Sequence, residues 1–305
     1  MLAFLIRRLL AGIFVLIGAT ALSFFIIRVI PGDAVTTLLG GTPTTPEVEA
    51  KLREQFHLDQ PIFVQYGLYM QDLIQGDLGT SMRSHEPVST TIKDRLPSTM
   101  KLTGLAVALA LAGGTTLGIF GSLLPRGPLE RLLSLFQFGM VSMPSFWLGL
   151  ILLTIFSFHY GWFPATGDRG WKSLVLPACT LAIPSGAVIA QLLRDGMNQV
   201  LKEQYITTAR AKGLRELTVR QRHALRNALI PVITVAGVTV GSLLTGSVVI
   251  ETVFARPGIG KLAVDSIVNK DLPVVQGIVL LAATVYLVTN LIADILYAAI
   301  DPRIR

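Results

Sequence analysis

The stretches YITTARAKG at residues 205–213 and RHALRNALIP at residues 222–231 decide how the rest of this chain is interpreted. Both belong to a segment, residues 194–227, that carries eight Lys or Arg residues against three acidic residues and has an apolar run on each side. We call this segment the basic hairpin. A short basic segment held at both ends by membrane helices can transmit motion from a cytoplasmic machine into a bilayer. Its residues suggest little chemistry of their own.

The composition indicates a membrane protein. Hydrophobic residues make up 51% of the 305 residues, charged residues only 15%, and the mean hydropathy is +0.61. Soluble domains carry about a quarter charged residues. The net charge of +7 does not predict a nucleic-acid partner, because the basic residues lie between apolar runs and not along a soluble face. The single cysteine, Cys179, excludes a disulfide framework and a cysteine-paired metal site.

Six uncharged segments of at least 19 residues predict six transmembrane helices. At about 1.5 Å per residue, each can cross a hydrocarbon core of about 30 Å. A membrane barrel would instead show segments of about ten alternating residues. The first segment resembles a secretory signal, but its apolar run continues to Ile27, which predicts an uncleaved helix. The segments are Leu9–Ile27, Leu102–Leu124, Leu132–Phe158, Ser173–Leu193, Ala228–Ile250 and Leu272–Ala293.

The charges of the short loops predict the orientation. An even number of spans places both termini on one side of the membrane. The basic hairpin falls on that same side, and the positive-inside rule makes it cytoplasmic. Long segments are weak orientation signals, so the cations of the outer segment Arg28–Lys101 do not reverse this prediction. The other cations on the cytoplasmic side are Arg7, Arg8, Arg126, Arg131, Arg303 and Arg305.

The long outer segment predicts a small helical cap on the membrane face. Thr44 and Thr45 ahead of Pro46 provide a helix start. The Leu58-Asp59-Gln60-Pro61 stretch ends that pattern, and a second helix is expected near Tyr66 and Met70. The alternative is a tether with no part in substrate passage.

The sequence lacks the usual enzyme and carrier signatures. His85-Glu86 has no second histidine four residues on, so it forms no zinc helix. Gly258-Ile-Gly260-Lys261 has the wrong glycine spacing for a phosphate loop, and Leu262 stands where a hydroxyl would hold magnesium. No acidic residue lies at mid-span, which gives an ion-driven carrier little support. An energised function therefore requires a partner, and the basic hairpin is the obvious place for it to dock.

These residues resemble a known family. The sequence from Tyr205 to Pro231 is similar to the cytoplasmic coupling motif of ATP-binding-cassette (ABC) importer permeases, specifically the first permease of the dipeptide, oligopeptide and nickel group. The broad motif begins Glu-Ala-Ala, whereas this chain has Thr207-Thr208-Ala209, and Arg226 stands where the broad motif has proline. Both substitutions are usual in that group. Further matches are RRL at 7–9, PGD at 31–33, LDQP at 58–61, GDLG at 76–79, FARPGIG at 254–260, DLPVVQG at 271–277 and DPRIR at 301–305.

The resemblance implies an all-α polytopic fold with six transmembrane helices. This is the type I, MetI-like importer permease fold with an N-terminal extracytoplasmic helical insertion. We predict an N-terminal part, residues 1–98, that holds the first span and the insertion. Residues 99–305 then form a core of five helices that includes the basic hairpin.

The resemblance also assigns two functional regions and no catalytic residue. The segment 254–260, which we call the gate turn, resembles the periplasmic gate of the group. Its implied gate residues are Phe254, Pro257, Gly258 and Gly260. The residues implied to couple to the ATPase are Tyr205, Thr207, Thr208, Ala209, Ala211, Lys212, Gly213, Leu225, Arg226 and Asn227. The residues of the hairpin predict a short helix over Glu203–Lys212, a left-handed turn at Gly213 and a second helix over Leu217–Leu229. The small side chains of Ala209 and Ala211 would allow a partner to approach closely.

The implied function is that of a permease subunit of an ATP-driven, binding-protein-dependent importer in the bacterial inner membrane, working by alternating access. Its partners would be a homologous second permease, two ABC ATPases that bind ATP and Mg²⁺, an extracytoplasmic solute-binding protein and the lipid bilayer. No cofactor or metal is expected in this chain. Short peptides are the leading cargo, and nickel, metal chelates or glutathione are alternatives. Outside this family, a self-contained carrier or channel, or an intramembrane enzyme, remains open.

Overall fold

A computed structural model describes residues 2–29, 59–125 and 127–300 of the chain. The predicted helix start at Thr44 and Thr45, and the motifs at 31–33 and 301–305, lie outside these residues. Within them the chain is helical apart from its loops, and the only β pairing is one isolated bridge between Thr80 and Pro87. The all-α prediction is confirmed.

The helices are numbered in chain order among the described residues. Two π-helical segments accompany them: Leu153–His159 continues α5, and Val219–Ala224 joins α8 to α9. The second cap helix, expected near Tyr66, is present as α2. The helices are α1 (Leu2–Val29), α2 (Ile62–Ile74), α3 (Val88–Leu123), α4 (Pro128–Ser142), α5 (Ser145–Leu152), α6 (Lys172–Val200), α7 (Gln204–Ala211), α8 (Glu216–Thr218), α9 (Leu225–Val253), α10 (Ile259–Val268) and α11 (Leu272–Ile300).

Five helical runs of the described chain are long and apolar enough to cross a membrane. They are Ile6–Ile26 in α1, the whole of α3, the whole of α6, Glu216–Val253 and Leu272–Ile292 in α11. Each contains most or all of one predicted span, so five of the six predicted spans are found as helices. The remaining one, Leu132–Phe158, differs from its prediction.

The predicted span Leu132–Phe158 is not one straight helix. α4 and the helical run Ser145–His159 meet at 107°. Met143 between them is extended, with φ −83° and ψ 127°, and Pro144 follows it. Proline has no backbone N–H and disfavours the helical conformation of the residue before it, so the helix stops here. The pair forms either one broken span, which makes six crossings, or a re-entrant loop.

The chain divides into two compact units, and the first combines the described residues up to Leu96 with Leu262–Leu287. Inside it, α1 and α2 pack through aromatic rings, with Phe24 stacked 5.5 Å from Tyr69 and in edge contact with Tyr66 at 5.3 Å. A Cβ on Gly277 of α11 would meet Val88 of α3 at 2.6 Å. These contacts pack helices that are far apart in the chain against one another.

The second unit combines Pro97–Lys261 with the described residues from Val288 onward. Its central helix is α6. In the apolar stretch of α6, 61% of the residues are buried, against 17–33% in the other four runs. α3 passes very close to α6, because a Cβ on Gly114 would lie 2.6 Å from the Gly186 carbonyl and one on Gly118 would lie 2.8 Å from that of Ala190. Small residues four apart allow such close helix packing in membranes. The predicted domain boundary at residue 98 stays a prediction.

Candidate functional site

The backbone of the basic hairpin follows the sequence prediction closely at its first helix and its turn. A helix was expected over Glu203–Lys212, and α7 spans Gln204–Ala211. Gly213 has a φ of +77°, the left-handed conformation that residues with a side chain resist. The second helix, expected over Leu217–Leu229, begins at Glu216 and runs through the π-helical segment into α9. The hairpin is thus continuous with a membrane span.

The two arms of the hairpin share a small apolar core. Ile206 and Ala209 of α7 are 0% and 7% exposed, and they belong to one cluster with Val219 and Ala224 of the second arm, both 0% exposed. Ala209 therefore packs inside the hairpin, whereas Ala211 remains exposed. Of the two small residues expected at a partner contact, only Ala211 presents its side chain outward.

Most other predicted coupling residues lie on the outside of the hairpin. Leu225 is half-buried against the apolar core. The Asn227 side-chain amide donates a hydrogen bond of 2.6 Å to the Tyr205 hydroxyl, which joins the two arms. The exposed members of the set are Tyr205, Thr207, Thr208, Ala211, Lys212, Gly213, Arg226 and Asn227.

A chain of charged side chains, which the sequence reading missed, connects α7 to the end of α3. Arg210 donates two hydrogen bonds to the Glu216 carboxylate, at 3.0 and 2.9 Å. Arg220 donates to the same carboxylate at 3.1 Å and to the Ser122 carbonyl at 2.8 Å. The hydrogen bond to Glu216 raises the pKa of Arg210. Spacing could have indicated only the Glu216–Arg220 pair, which lies four residues apart on a helix.

Arg194 anchors the start of the basic hairpin. Its side chain is 8% exposed and donates a hydrogen bond of 2.7 Å to the Ser134 hydroxyl of α4. The Glu130 carboxylate lies 3.8 Å from the same guanidinium. The apolar segments that surround these residues gave no sign that they meet.

Two glycines allow the gate turn to fold tightly. A Cβ on Gly258 would lie 2.2 Å from the Glu251 carboxyl group, and one on Gly260 would lie 2.3 Å from the Val248 Cα. Phe254 is 1% exposed and belongs to the apolar cluster of the second unit. Pro257, which lies between Phe254 and Gly258 in the chain, is half-buried. The turn is packed against the protein and does not project as a free loop.

Glu251 organises the gate turn although it is fully buried. It belongs to α9, is 0% exposed, and accepts hydrogen bonds from the Thr99 hydroxyl at 2.6 Å and from the Gly260 and Lys261 backbone amides at 2.8 and 3.2 Å. The Thr99 hydroxyl in turn accepts the Ile259 amide at 2.8 Å. The carboxylate thus meets the positive end of α10. The superficial phosphate-loop pattern at 258–261 encloses the carboxyl group of Glu251.

A second buried charge, Arg256, fixes the other side of the turn. It is 1% exposed and donates to the carbonyls of Gly167 and Ser173, both at 3.1 Å, and to the Ser98 hydroxyl at 3.3 Å. Burial lowers the pKa of Arg256, and the negative charges of Asp168 and Glu251 oppose this shift. Neither Glu251 nor Arg256 was among the residues that the resemblance assigned to the gate. The available signal was an acidic and a basic residue just ahead of a proline-glycine turn, at the end of an apolar run.

The described ranges contain no group of three or more His, Cys, Asp or Glu side chains placed to hold a metal ion. The arrangement suits mechanical work, because the hairpin and the gate turn each join helices that are distant in the sequence.

Comparison with known sequences covers almost the entire chain. Residues 114–305 match the family described as binding-protein-dependent transport system inner membrane component, and residues 1–103 match the N-terminal region of such membrane components. The chain is 40% identical to a dipeptide transport system permease protein of Alkalihalophilus pseudofirmus, over all of both chains. It is 40% identical to an oligopeptide transport system permease protein of Bacillus subtilis, again over all of both. It is 41% identical to a glutathione transport system permease protein of Salmonella typhimurium, over 100% of this chain and 99% of that one.

Solved structures match the fold over a shorter region. An inward-facing MetNI methionine ABC transporter aligns with a TM-score of 0.60 and 16% identity, covering 69% of this chain and 96% of the other. An amino acid ABC transporter aligns with a TM-score of 0.57 and 17% identity, covering 69% and 94%. Both confirm the type I importer permease fold.

Proposed function

The chain belongs to the family of inner membrane components of binding-protein-dependent transport systems, and from this premise we propose that it is the permease subunit of an ATP-driven importer of di- and oligopeptides. The observation that carries the proposal is the 40% identity with dipeptide and oligopeptide permeases over the full length of the chain. The family assignment replaces the alternatives of a self-contained carrier, a channel or an intramembrane enzyme.

Glutathione is a second candidate cargo, because a glutathione permease is as similar as the peptide permeases. Glutathione is itself a modified tripeptide with free carboxylate and ammonium groups, so one pathway could accept both.

We propose that the subunit pairs with a homologous permease and works with two ABC ATPases and an extracytoplasmic binding protein. The basic hairpin would face the cytoplasm and dock on an ATPase, and the gate turn would face the binding protein. The exposed residues of the basic hairpin, which include Thr207, Thr208, Lys212 and Arg226, support the docking role. Nucleotide and Mg²⁺ would be bound by the ATPases and not by this chain.

In this proposal the hairpin acts as a lever. Closure of the ATPases on ATP would move α7, and two connections would pass the movement to the spans. One is the continuous helical run from Glu216 into α9. The other is the charged chain from Arg210 through Glu216 and Arg220 to the Ser122 carbonyl at the end of α3.

The gate turn would close the outer end of the pathway. Glu251 joins α9 to the start of α10 and, through Thr99, to α3. Because three helices meet at one carboxylate, a change in their spacing requires the turn to shift or its hydrogen bonds to break. This coupling of turn position to helix position is what a gate needs.

The experiment that tests the function is reconstitution. The chain, tagged and expressed with its genomic neighbours, should copurify with two nucleotide-binding subunits. In proteoliposomes, ATP and the binding protein should together drive uptake of a radiolabelled dipeptide. Peptide uptake without nucleotide-binding subunits would overturn the proposal.

Orientation has its own test. Single cysteines at Ser84 and at Leu217, which is 61% exposed, are introduced into a Cys179→Ser background. An impermeant maleimide added to intact cells should label the first and not the second. Labelling of both from outside would contradict a cytoplasmic hairpin.

A further inference from the structure

The first unit contains a polar cleft that neither the hairpin nor the gate turn uses. Its volume is about 650 Å³, and it lies between the loop that precedes α3, the start of α3 and the connection from α10 to α11. Small-ligand sites in proteins occupy about 300–1,000 Å³. The charged and polar residues of its lining include Ser81, Arg83, Glu86, Arg95, Asp265 and Asp271.

A hydrogen-bond network holds the two walls of the cleft together. Asp271 is 5% exposed and accepts hydrogen bonds from the Ser81 hydroxyl at 2.5 Å and from the Met82 amide at 3.1 Å. The Ser81 hydroxyl oxygen also accepts the amides of Arg83 and Ser84, at 3.3 and 3.1 Å. The loop is therefore fixed to the opposite wall before any ligand arrives, which favours binding because little order remains to be imposed.

Both walls also contain strained backbone. His85, between Ser84 and Glu86, has a φ of +56°, and Lys270, next to Asp271, has a φ of +55°. Residues other than glycine avoid this region at a cost of about 1–2 kcal/mol. Such conformations cluster at ligand-binding and switch sites, where the surrounding structure enforces them. Two strained residues on opposite walls are consistent with a cleft shaped for a ligand.

Three charged side chains of the cleft have no partner among the described residues. The side chains of Arg83, Arg95 and Glu86 all line the cleft, and all are exposed. Within the described part of the chain, none of the three forms an ion pair or a side-chain hydrogen bond. Opposite charges that share a cleft but stay apart offer binding capacity to a ligand that carries both signs.

We propose that this cleft binds a short peptide by its two free ends. The terminal carboxylate would pair with the guanidinium groups of Arg83 and Arg95, and the terminal ammonium would lie against Glu86. Arginine suits the first role because its planar group matches a carboxylate with two hydrogen bonds. Peptide is chosen as the ligand because this inference rests on the proposed cargo. The cleft is then a binding site of the permease itself, separate from the binding protein.

The test uses the assembled complex in nanodiscs without binding protein or nucleotide. Equilibrium dialysis measures the affinity for radiolabelled trialanine, N-acetyl-trialanine and trialanine amide. Trialanine should bind, and each blocked peptide should bind at least about tenfold more weakly, because it lacks one charged end. Two variants are tested, the double variant Arg83→Gln with Arg95→Gln and the single variant Glu86→Gln. The control is Lys93→Gln, on the same helix as Arg95.

Each variant should erase one preference only. The double arginine variant should no longer distinguish trialanine from its amide, and Glu86→Gln should no longer distinguish it from the acetylated peptide. Lys93→Gln, outside the cleft, should behave as the wild type. If these residues only maintained the structure, each variant would weaken both the carboxylate and the ammonium preference, or neither.

Three outcomes would overturn the inference. They are no trialanine binding by the wild type, unchanged preferences in the variants, or a loss of affinity for the binding protein with peptide binding intact, which would make the cleft a docking surface. Uptake by the complete system is measured in parallel. Peptide uptake without peptide binding in the cleft would overturn this inference and leave the proposed function standing. Peptide binding in the cleft without peptide uptake would overturn the proposed cargo and leave this inference standing.

Discussion

The basic hairpin and the gate turn both depend on charged residues, but they use them in opposite ways. In the hairpin, Arg210 and Glu216 are 42% and 49% exposed even though they pair with each other. At the gate turn, Glu251 of α9 and Arg256 of the turn are 0% and 1% exposed, and the protein itself supplies their hydrogen bonds. The hairpin therefore keeps its charges available to a partner, whereas the gate turn uses its charges to hold its own backbone.

This difference predicts how each region responds to mutation. Exposed ion pairs contribute about 0.2–1 kcal/mol, because water and salt screen them. Removal of one partner from a buried charged network costs about 3–5 kcal/mol, because the other partner stays buried without compensation. Changes in the gate turn should therefore affect the folded subunit, and changes in the hairpin should mainly affect coupling.

The largest effect is expected from Gly260→Ala. The new methyl group would lie 2.3 Å from the Val248 Cα, and a backbone atom cannot move aside as a side chain can. Overpacking of this kind costs about 1–3 kcal/mol or more. We expect little assembled complex and no measurable uptake. The control is Gly67→Ala in α2, where no atom of the described residues lies within 4 Å of the added atom, and this variant should assemble normally. Normal assembly of both variants would show that the gate turn is not tightly packed.

Thr99→Val should cause the next largest loss. It removes the hydroxyl that donates to Glu251 and accepts from the Ile259 amide, at a cost of about 1–3 kcal/mol. Thr103→Val, four residues later on α3, is the matched control. The Thr103 hydroxyl is buried and has no hydrogen-bond partner among the described residues, so its replacement should be neutral or stabilising. Thermal unfolding of the purified complex measures both. Equal destabilisation by the two substitutions would refute the role given to Thr99.

Gly213→Val tests the turn of the hairpin. No atom of the described residues lies within 4 Å of a Cβ added at Gly213, so the expected penalty comes from the φ of +77° and amounts to about 1–2 kcal/mol. We expect normal membrane insertion but a several-fold loss of binding-protein-stimulated ATP hydrolysis and of uptake. Gly213→Asn should retain most activity, because asparagine tolerates the left-handed conformation. A valine variant as active as the asparagine variant would mean that the turn geometry does not matter for coupling.

The smallest effect is expected from Arg220→Met, which removes the contact with the Ser122 carbonyl. Loss of a partly exposed pair of about 0.2–1 kcal/mol should leave assembly intact and lower uptake per ATP hydrolysed by at most about fivefold. Arg222→Met is the control, because Arg222 is exposed and is not placed in the charged chain. The difference between the two variants should shrink at high salt. If both variants show the same coupling ratio, the charged chain does not transmit the movement.

How far the sequence alone succeeded differs between the two regions. The first helix of the hairpin and its glycine turn could be predicted because they depend on local features, namely a short helical pattern and one residue that accepts positive φ. The inward direction of Ala209 could not be predicted, because it depends on an apolar cluster that also contains Val219 and Ala224 of the second arm and residues of α3 and α6. Whether the exposed hairpin residues dock on an ATPase stays a prediction.

For the gate turn, the sequence supplied the motif without its mechanism. The glycines at 258 and 260 were recognised, but the reason that only glycine fits there was not. A side chain at 258 would collide with Glu251 of α9, and one at 260 would collide with the Val248 backbone. The break at Met143 and Pro144 was missed for a different reason. The apolar run around them is long enough to span a membrane, and hydropathy does not register the effect of proline on the residue before it.

The sequence by itself determined the membrane location, the helical class, five of the spans and the family, because hydrophobic length and local motifs are properties of contiguous residues. Only the tertiary structure decided which charges are buried, which helices each of them joins, and where a cleft with unpaired charges is left. Thr99 and Glu251 are 152 residues apart in the chain, and Arg220 and Ser122 are 98 apart. Contacts at such separations depend on how the helices pack, and no local pattern in the sequence specifies that packing.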